Sequence, residues 1–219
     1  MIADFLKRTH LKILRRRLHS FNALCKALDF KPSTISEDEF QPYYQEYTTT
    51  ISSPNMAASL QLASFVYSLC ETVRPAKVLD LGSGFSSFVL RYYAKIDSNC
   101  QVWSVDDDEK WLEKSRQYVV KEGLSTQNMV ILENFVKSGE KDFDLILLDL
   151  NFVEVRKDYI NLCVERCRSK GLIIFDDVHK SEFEYEVLLQ TANTPVKLFD
   201  AKPVTLDSYQ RYATVSIKD

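Results

Sequence analysis

The chain has 219 residues, 45% of them hydrophobic and 27% charged, and carries a net charge of -3. That balance belongs to a globular protein with one substantial core and excludes a chain that is mainly disordered or collagen-like. No uncharged apolar run approaches the roughly 18 residues of a membrane span, and charges interrupt the first twenty positions where a secretory signal needs an apolar stretch, so the expected location is cytoplasmic.

Residues 11 to 28 carry Leu11, Leu14, Leu18, Phe21, Cys25 and Leu28 at alternating spacings of three and four, which predicts one helix with a buried stripe. Its other face is basic, with Lys12, Arg15, Arg16, Arg17 and Lys26. Such a face could meet a second subunit, nucleic acid or an acidic membrane surface. In a chain that is acidic overall, a solvated face on a helix packed against its own domain is the preferred reading. A homodimer through this helix stays open, and no nucleic-acid partner is expected. Residues 31 to 55 are rich in Pro, Ser, Thr and Tyr without a sustained period, and read as a long ordered loop or short helical pieces.

From residue 56 the pattern sharpens. Residues 56–71 are helical, and AKVLDLG, QVWSVDD, MVILEN, FDLILLDL and GLIIFDD are short apolar runs with helical segments between them. Strands alternating with helices predict a doubly wound, mostly parallel sheet. VKLFDA and RYATVSI follow with only a short polar connection, which predicts an antiparallel last strand. The five cysteines are scattered, without a C-x-x-C pair, and predict buried thiols.

Chemistry concentrates at the strand ends. Val78-Leu79-Asp80-Leu81-Gly82-Ser83-Gly84 is an apolar strand running into a Gly-x-Gly turn, and the helix that follows adds the hydroxyls of Ser86 and Ser87 to its free N–H groups. Asp106 ends the next apolar strand, where a carboxylate can accept from both hydroxyls of a ribose. Together they predict a nucleoside-containing cofactor. Asp80, two residues before the turn, would repel a pyrophosphate and suits a cation such as the ammonium of an amino-acid tail.

At this point the sequence resembles the class I S-adenosylmethionine-dependent methyltransferases, whose first motif reads much like VLDLGSGFSS and whose second strand ends in an acid like that of WSVDDD. The resemblance covers residues 73–219. It implies a Rossmann-like methyltransferase fold with a mostly parallel seven-stranded sheet and an antiparallel last strand, behind an N-terminal helical cap at residues 1–72. It further implies S-adenosylmethionine as cofactor and methyl transfer to a hydroxyl oxygen of a small-molecule acceptor. Gly82, Ser83 and Gly84 would then contact the methionine part and Asp106 the ribose, with Asp107 backing it up. Glu133-Asn134-Phe135 falls where family members contact adenine, and Asn134 is the candidate side chain. Asp108 is read as a helix cap.

Asp149, Asp176 and Asp177 end the next two strands, and three carboxylates gathered there call for a cation, a proton or a donor among them. The set resembles the magnesium site of the catechol-type O-methyltransferases, a divalent-metal alternative. It departs from that pattern at Asp177, where the family has Asn, and at Phe152, where many members have Lys, so magnesium is not favoured. Asp149 is expected to serve the cofactor as well as catalysis. The tetrad of the nucleobase-amine methyltransferases would fall at Asp149-Leu150-Asn151-Phe152, which lacks both prolines. Nitrogen- or carbon-directed transfer and a non-catalytic interaction module remain alternatives. His179, just past a strand tip, is the first candidate for general base, with Asp149 and Asp176 beside it. Tyr43, Tyr44 and Tyr47 would either line an acceptor pocket or pack the cap.

Overall fold

The structure, a computed structural model, describes residues 2–219. Among the described residues eight strands form one sheet: β1 (Leu18–His19), β2 (Lys77–Leu81), β3 (Gln101–Asp106), β4 (Met129–Ile131), β5 (Phe143–Leu148), β6 (Cys167–Phe175), β7 (Val196–Asp200) and β8 (Thr214–Lys218). The N-terminal helices are α1 (Ile2–Leu14), α2 (Phe21–Leu28), α3 (Gln41–Thr50) and α4 (Leu60–Val73). Between strands lie α5 (Phe85–Ile96), α6 (Glu109–Lys121), α7 (Leu132–Ser138), α8 (Val153–Arg156), α9 (Ile160–Arg166), α10 (Ser181–Gln190) and α11 (Lys202–Thr205).

The strand order is β1-β7-β8-β6-β5-β2-β3-β4. Neighbours are parallel except at β8, which runs antiparallel to β6 and β7, as its sequence position predicts. The seven expected strands are present, and Leu18–His19 adds an eighth at the edge by pairing with Leu198–Phe199.

Both faces of the sheet are covered, which is why its central strands are continuously apolar. Along β5 Leu145 and Leu147 enter one core while Ile146 and Leu148 enter the other; in β6 Leu172 and Ile174 oppose Ile173 and Phe175 in the same way. From β2 the chain winds outward to β3 and β4, then returns to β5 and β6 on the other side. The reversal opens a crevice beyond the carboxyl ends of β2 and β5, the position where open α/β sheets bind ligands.

The predicted helix over residues 11–28 is broken. Arg15–Arg17 form a tight turn, Leu18–His19 extend into the sheet, and Ser20 starts α2 afresh by accepting from the Ala23 N–H at 3.3 Å. The stripe divides where the chain crosses the sheet edge: Leu11 and Leu14 are buried on one side, and Phe21 on the other with Cys25 and Leu28 partly buried beside it. It is therefore buried on its own domain. Part of the basic face is structural too, since Arg15 makes a bidentate pair with Glu184 of α10 at 2.7 and 2.6 Å and Arg17 donates to the carbonyls of Leu188 and Thr191.

Residues 31–55 resolve into a short turn at Pro32–Thr34 and α3, whose Pro42 sits in the first turn where no N–H is needed. The run MVILEN is strand only as far as Ile131; Glu133 and Asn134 belong to α7. Among the described residues no helix is long and apolar enough to cross a membrane.

Candidate functional site

A cavity of about 460 Å³ lies at the crevice, walled by the β2–α5 turn, the tips of β3, β5 and β6, and the segment following α3. Its size suits a cofactor-sized ligand. Gly82, Ser83, Gly84, Ser86, Asp106, Asp107, Asp149, Asp176 and Asp177 all line it.

The two glycines of the turn are required for different reasons. Gly82 has φ +113°, and a Cβ there would lie 2.3 Å from the Asp149 carbonyl oxygen and 2.5 Å from its carbon, so the strand tips can close together only over glycine. At Gly84 a Cβ would meet the Tyr47 hydroxyl at 3.4 Å and no other atom within 4 Å, and its backbone is extended. Gly84 thus leaves open a space that the protein itself does not fill.

Asp80 is fully buried and does not line the cavity. Ser87 Oγ donates to its Oδ2 at 2.5 Å and accepts from the Gly84 N–H at 3.3 Å, so the carboxylate holds the turn through Ser87. Its Oδ1 has no hydrogen-bond partner, and burial pushes its pKa up to about 7. A carboxyl whose folded pKa exceeds its unfolded one binds its proton more tightly in the folded state, so stability is lost as pH rises from the unfolded value through the folded one. Thermal unfolding scans across about pH 4 to 7.5 should show Tm falling with pH, and Asp80→Asn should flatten that slope, because amide and neutral acid carry no charge to desolvate. An unchanged slope in the variant would contradict the assignment.

Asp106 Oδ2 accepts from the Ser83 N–H and Oγ at 2.7 and 2.9 Å, and Oδ1 accepts from the Asp108 N–H at 3.0 Å. Burial raises its pKa against these donors. Asp107 accepts from Asn151 Nδ2 at 2.7 Å, linking the tips of β3 and β5. Asp108 caps α6 through the N–H groups of Lys110 and Trp111, as its sequence position predicts. Trp111 also lines the cavity and donates from Nε1 to the Ser83 carbonyl at 2.6 Å. Asn134 is exposed on α7 and lies outside the cavity wall.

Of the three tyrosines, Tyr43 and Tyr44 pack on Phe88 and Phe85 respectively, while Tyr47 reaches the cavity. The Tyr47 side chain is buried and its hydroxyl lacks a hydrogen-bond partner of good geometry; burial raises its pKa well above the ordinary phenol value. An orphaned hydroxyl beside the space under Gly84, with an acid at the tip of the neighbouring strand, fits a polar nucleoside-bearing ligand.

At the other end of the cavity oxygens of Asp149, Asp176 and Asp177 lie within 4.8 Å of one another. The sequence reading missed what stands among them. Arg156, at the end of α8 and 3% exposed, directs Nη2 to Asp149 Oδ1 at 2.8 Å and Nη1 to Asp177 Oδ2 at 3.3 Å. It also donates to the carbonyls of Leu150, Asn151 and Asp176. Burial lifts Asp149 to about 6 although Arg156 opposes the shift. Asp176, 5% exposed, is held well above the ordinary carboxylate range by burial and by Asp149 and Asp177; the backbone N–H of Asp177 is the donor facing it. A divalent ion at this set would have to share Asp149 and Asp177 with a fixed cation, since Arg156 holds one oxygen of each.

His179 stands beside Asp177, with Nδ1 3.4 Å from Asp177 Oδ1 and outside good hydrogen-bond geometry, and its ring meets Tyr212 edge-on. It does not line the cavity, and burial holds its pKa below the usual imidazole value. Arg211, also missed, pairs with Asp207 and donates to the carbonyls of Pro54, Asn55 and Ala57, tying the segment after α3 to the far side of the cavity. Met56 and Phe152, 61% and 60% exposed, add apolar surface to the wall.

No protein-family model and no curated protein sequence matches the chain. Solved structures do. The chain is similar to the O-methyltransferase TomG of Streptomyces achromogenes, involved in tomaymycin synthesis and crystallised with S-adenosylmethionine, with a TM-score of 0.65 and 13% identity over 84% of this chain and 91% of that one. It is similar to an O-methyltransferase of Bacillus cereus in complex with S-adenosylhomocysteine, with a TM-score of 0.61 and 15% identity over 90% of this chain and 96% of the other. The S-adenosylhomocysteine-bound methyltransferase PaMTH1 of Podospora anserina matches with a TM-score of 0.60 and 17% identity over 83% and 88% of the two chains. The chain therefore has the fold of S-adenosylmethionine-dependent methyltransferases.

Proposed function

We propose that the protein is an S-adenosylmethionine-dependent methyltransferase that methylates a hydroxyl oxygen of a small molecule. The observation that carries this reading is one cavity with a polar, glycine-lined end under Gly84 and Tyr47 and a carboxylate end at Asp176. When bound, S-adenosylmethionine supplies a methyl group activated by a sulfonium.

The chain's own residues do the rest. The Gly82–Gly84 turn takes the methionine part, with the Tyr47 hydroxyl as an added donor. Asp106 and Asp107 take the ribose, and Trp111 forms the aromatic wall in place of Asn134. Asp176 receives the acceptor's proton, since it lines the cavity and is the one of the three carboxylates whose side-chain oxygens Arg156 does not hold. Met56 and Phe152 offer apolar contact to a ring-bearing acceptor, and Lys180 adds a cation at the rim. Positioning accounts for most of the catalysis in such a site. The burial of the Leu11–Leu14 stripe on α10 and the sheet leaves no need for a second subunit, and five free thiols suit a cytoplasmic location.

Asp106→Ala should weaken S-adenosylhomocysteine binding by about 1.5–3 kcal/mol, roughly ten- to a hundredfold, the worth of hydrogen bonds to a charged group. Asp108→Ala should cost the cofactor little and act through loss of the α6 cap. Calorimetric titrations of both variants check this, and a larger loss at Asp108 would contradict it. The function itself is tested by incubating the protein with S-adenosylmethionine and panels of phenols, hydroxy acids, sugars and amines, and following S-adenosylhomocysteine and product mass. Turnover on hydroxyl acceptors is expected. Turnover on amines or carbon acids alone would redirect the chemistry, and binding without turnover would favour an interaction module.

A further inference from the structure

We propose that Arg156 is the built-in cation of the acceptor end, filling the place a divalent ion would have among Asp149, Asp176 and Asp177, so that the site works without a metal. The inference rests on the methyltransferase reading for its purpose, but its evidence is independent of the cofactor. Three carboxylates gathered within 4.8 Å cannot all stay charged without a compensating charge. A divalent ion is one solution, and it needs hard oxygen ligands free to turn toward it. Here two of the three are already turned toward a guanidinium, Asp149 at 2.8 Å and Asp177 at 3.3 Å.

Arg156 is not a surface side chain that happened to fall inward. Its remaining N–H groups are taken by the carbonyls of Leu150, Asn151 and Asp176, which come from both strand tips, and its guanidinium lies 5.6 Å from the Phe183 ring centroid. A planar fork with several donors meets this constellation, and a spherical ion could not reproduce it. A metal would have to share Asp149 and Asp177 with a buried, fully bonded guanidinium, whose fixed positive charge opposes it. The sequence departs from the metal-dependent pattern at Phe152 and Asp177, and the positive charge reappears four residues further on, one helical turn from Phe152, at Arg156. The acceptor is then held by hydrogen bonds and apolar contact instead of by chelation of two oxygens, and it need not carry adjacent hydroxyls. Arg156 lines the cavity beside these carboxylates and acts as a positioning residue, because it works through Asp149 and Asp177.

The test uses Mn²⁺ as probe and the full chain with and without S-adenosylhomocysteine. Electron paramagnetic resonance of free Mn²⁺ should keep its full amplitude on addition of wild-type protein. In Arg156→Met the free signal should be lost on titration with protein, Mn²⁺ should raise Tm, and adding Asp176→Asn in that background should restore the signal. Loss of the signal with wild type, abolished by Asp176→Asn, would overturn the proposal, and so would a folded Arg156→Met that leaves Mn²⁺ free. If Arg156→Met does not fold, the wild-type and Asp176→Asn titrations decide alone. Failure of S-adenosylhomocysteine to bind would count against the methyltransferase reading and leave the Mn²⁺ result standing on its own.

Discussion

Gly82→Ala is expected to destabilise the protein by about 3–5 kcal/mol, while Gly84→Ala folds normally and loses cofactor affinity. At Gly82 the added Cβ would meet the Asp149 backbone at 2.3 and 2.5 Å and Leu150 N at 2.8 Å, and no flexible side chain is there to yield. Overpacking of this kind costs roughly 1–3 kcal/mol and a non-glycine residue in the left-handed region a similar amount. At Gly84 the new methyl would have room in the empty protein and would compete only with what binds beneath the turn. Urea denaturation of both variants, followed by titration with S-adenosylhomocysteine, separates the two roles. Equal stability losses would mean that both glycines are structural and that the turn has no special relation to a ligand.

Arg156→Met is the second change with a large expected effect, a loss of about 3–5 kcal/mol, since breaking one side of a buried ion pair leaves the partners uncompensated. Three backbone carbonyls lose their donor as well. The coupling is readable in a double-mutant cycle: Asp149→Asn in the Arg156→Met background should recover part of the loss, because the stranded charge goes with it. Additive losses in urea denaturation would show that Arg156 contributes only through packing and carbonyl bonds.

What the sequence disclosed and what it hid divide along physical lines. The strand–turn–helix at residues 78–87 and the acid at Asp106 are local patterns: each depends on neighbours within one βα unit, and the structure brings them to one cavity as their order suggests. The antiparallel β8 was legible for the same reason, as a connection too short to cross over. Arg156 was not legible, because the acids nearest it in the chain, Glu154 and Asp158, are not its partners; those sit at the ends of β5 and β6 and meet it only after the sheet is assembled. Tyr47 came from an aromatic-rich segment in which spacing could not separate the ring whose hydroxyl reaches Gly84 and the cavity from Tyr43 and Tyr44, which do not line it. The break at Arg15–His19 was hidden because the apolar spacing continues through it, although Leu14 and Phe21 end on opposite faces of the sheet. His179 was placed by its position one loop past a strand tip, while the direction of its ring, toward Tyr212 and Asp177, depends on contacts that sequence order does not carry.

Calorimetric titration of the wild-type protein with S-adenosylhomocysteine tests the account most directly. The cavity under Gly84, with Tyr47, Trp111 and Asp106 on its walls, predicts saturable binding at one site per chain. No heat at millimolar ligand, together with saturable binding of NADH in the same cell, would contradict the reading of the cavity from which the rest follows.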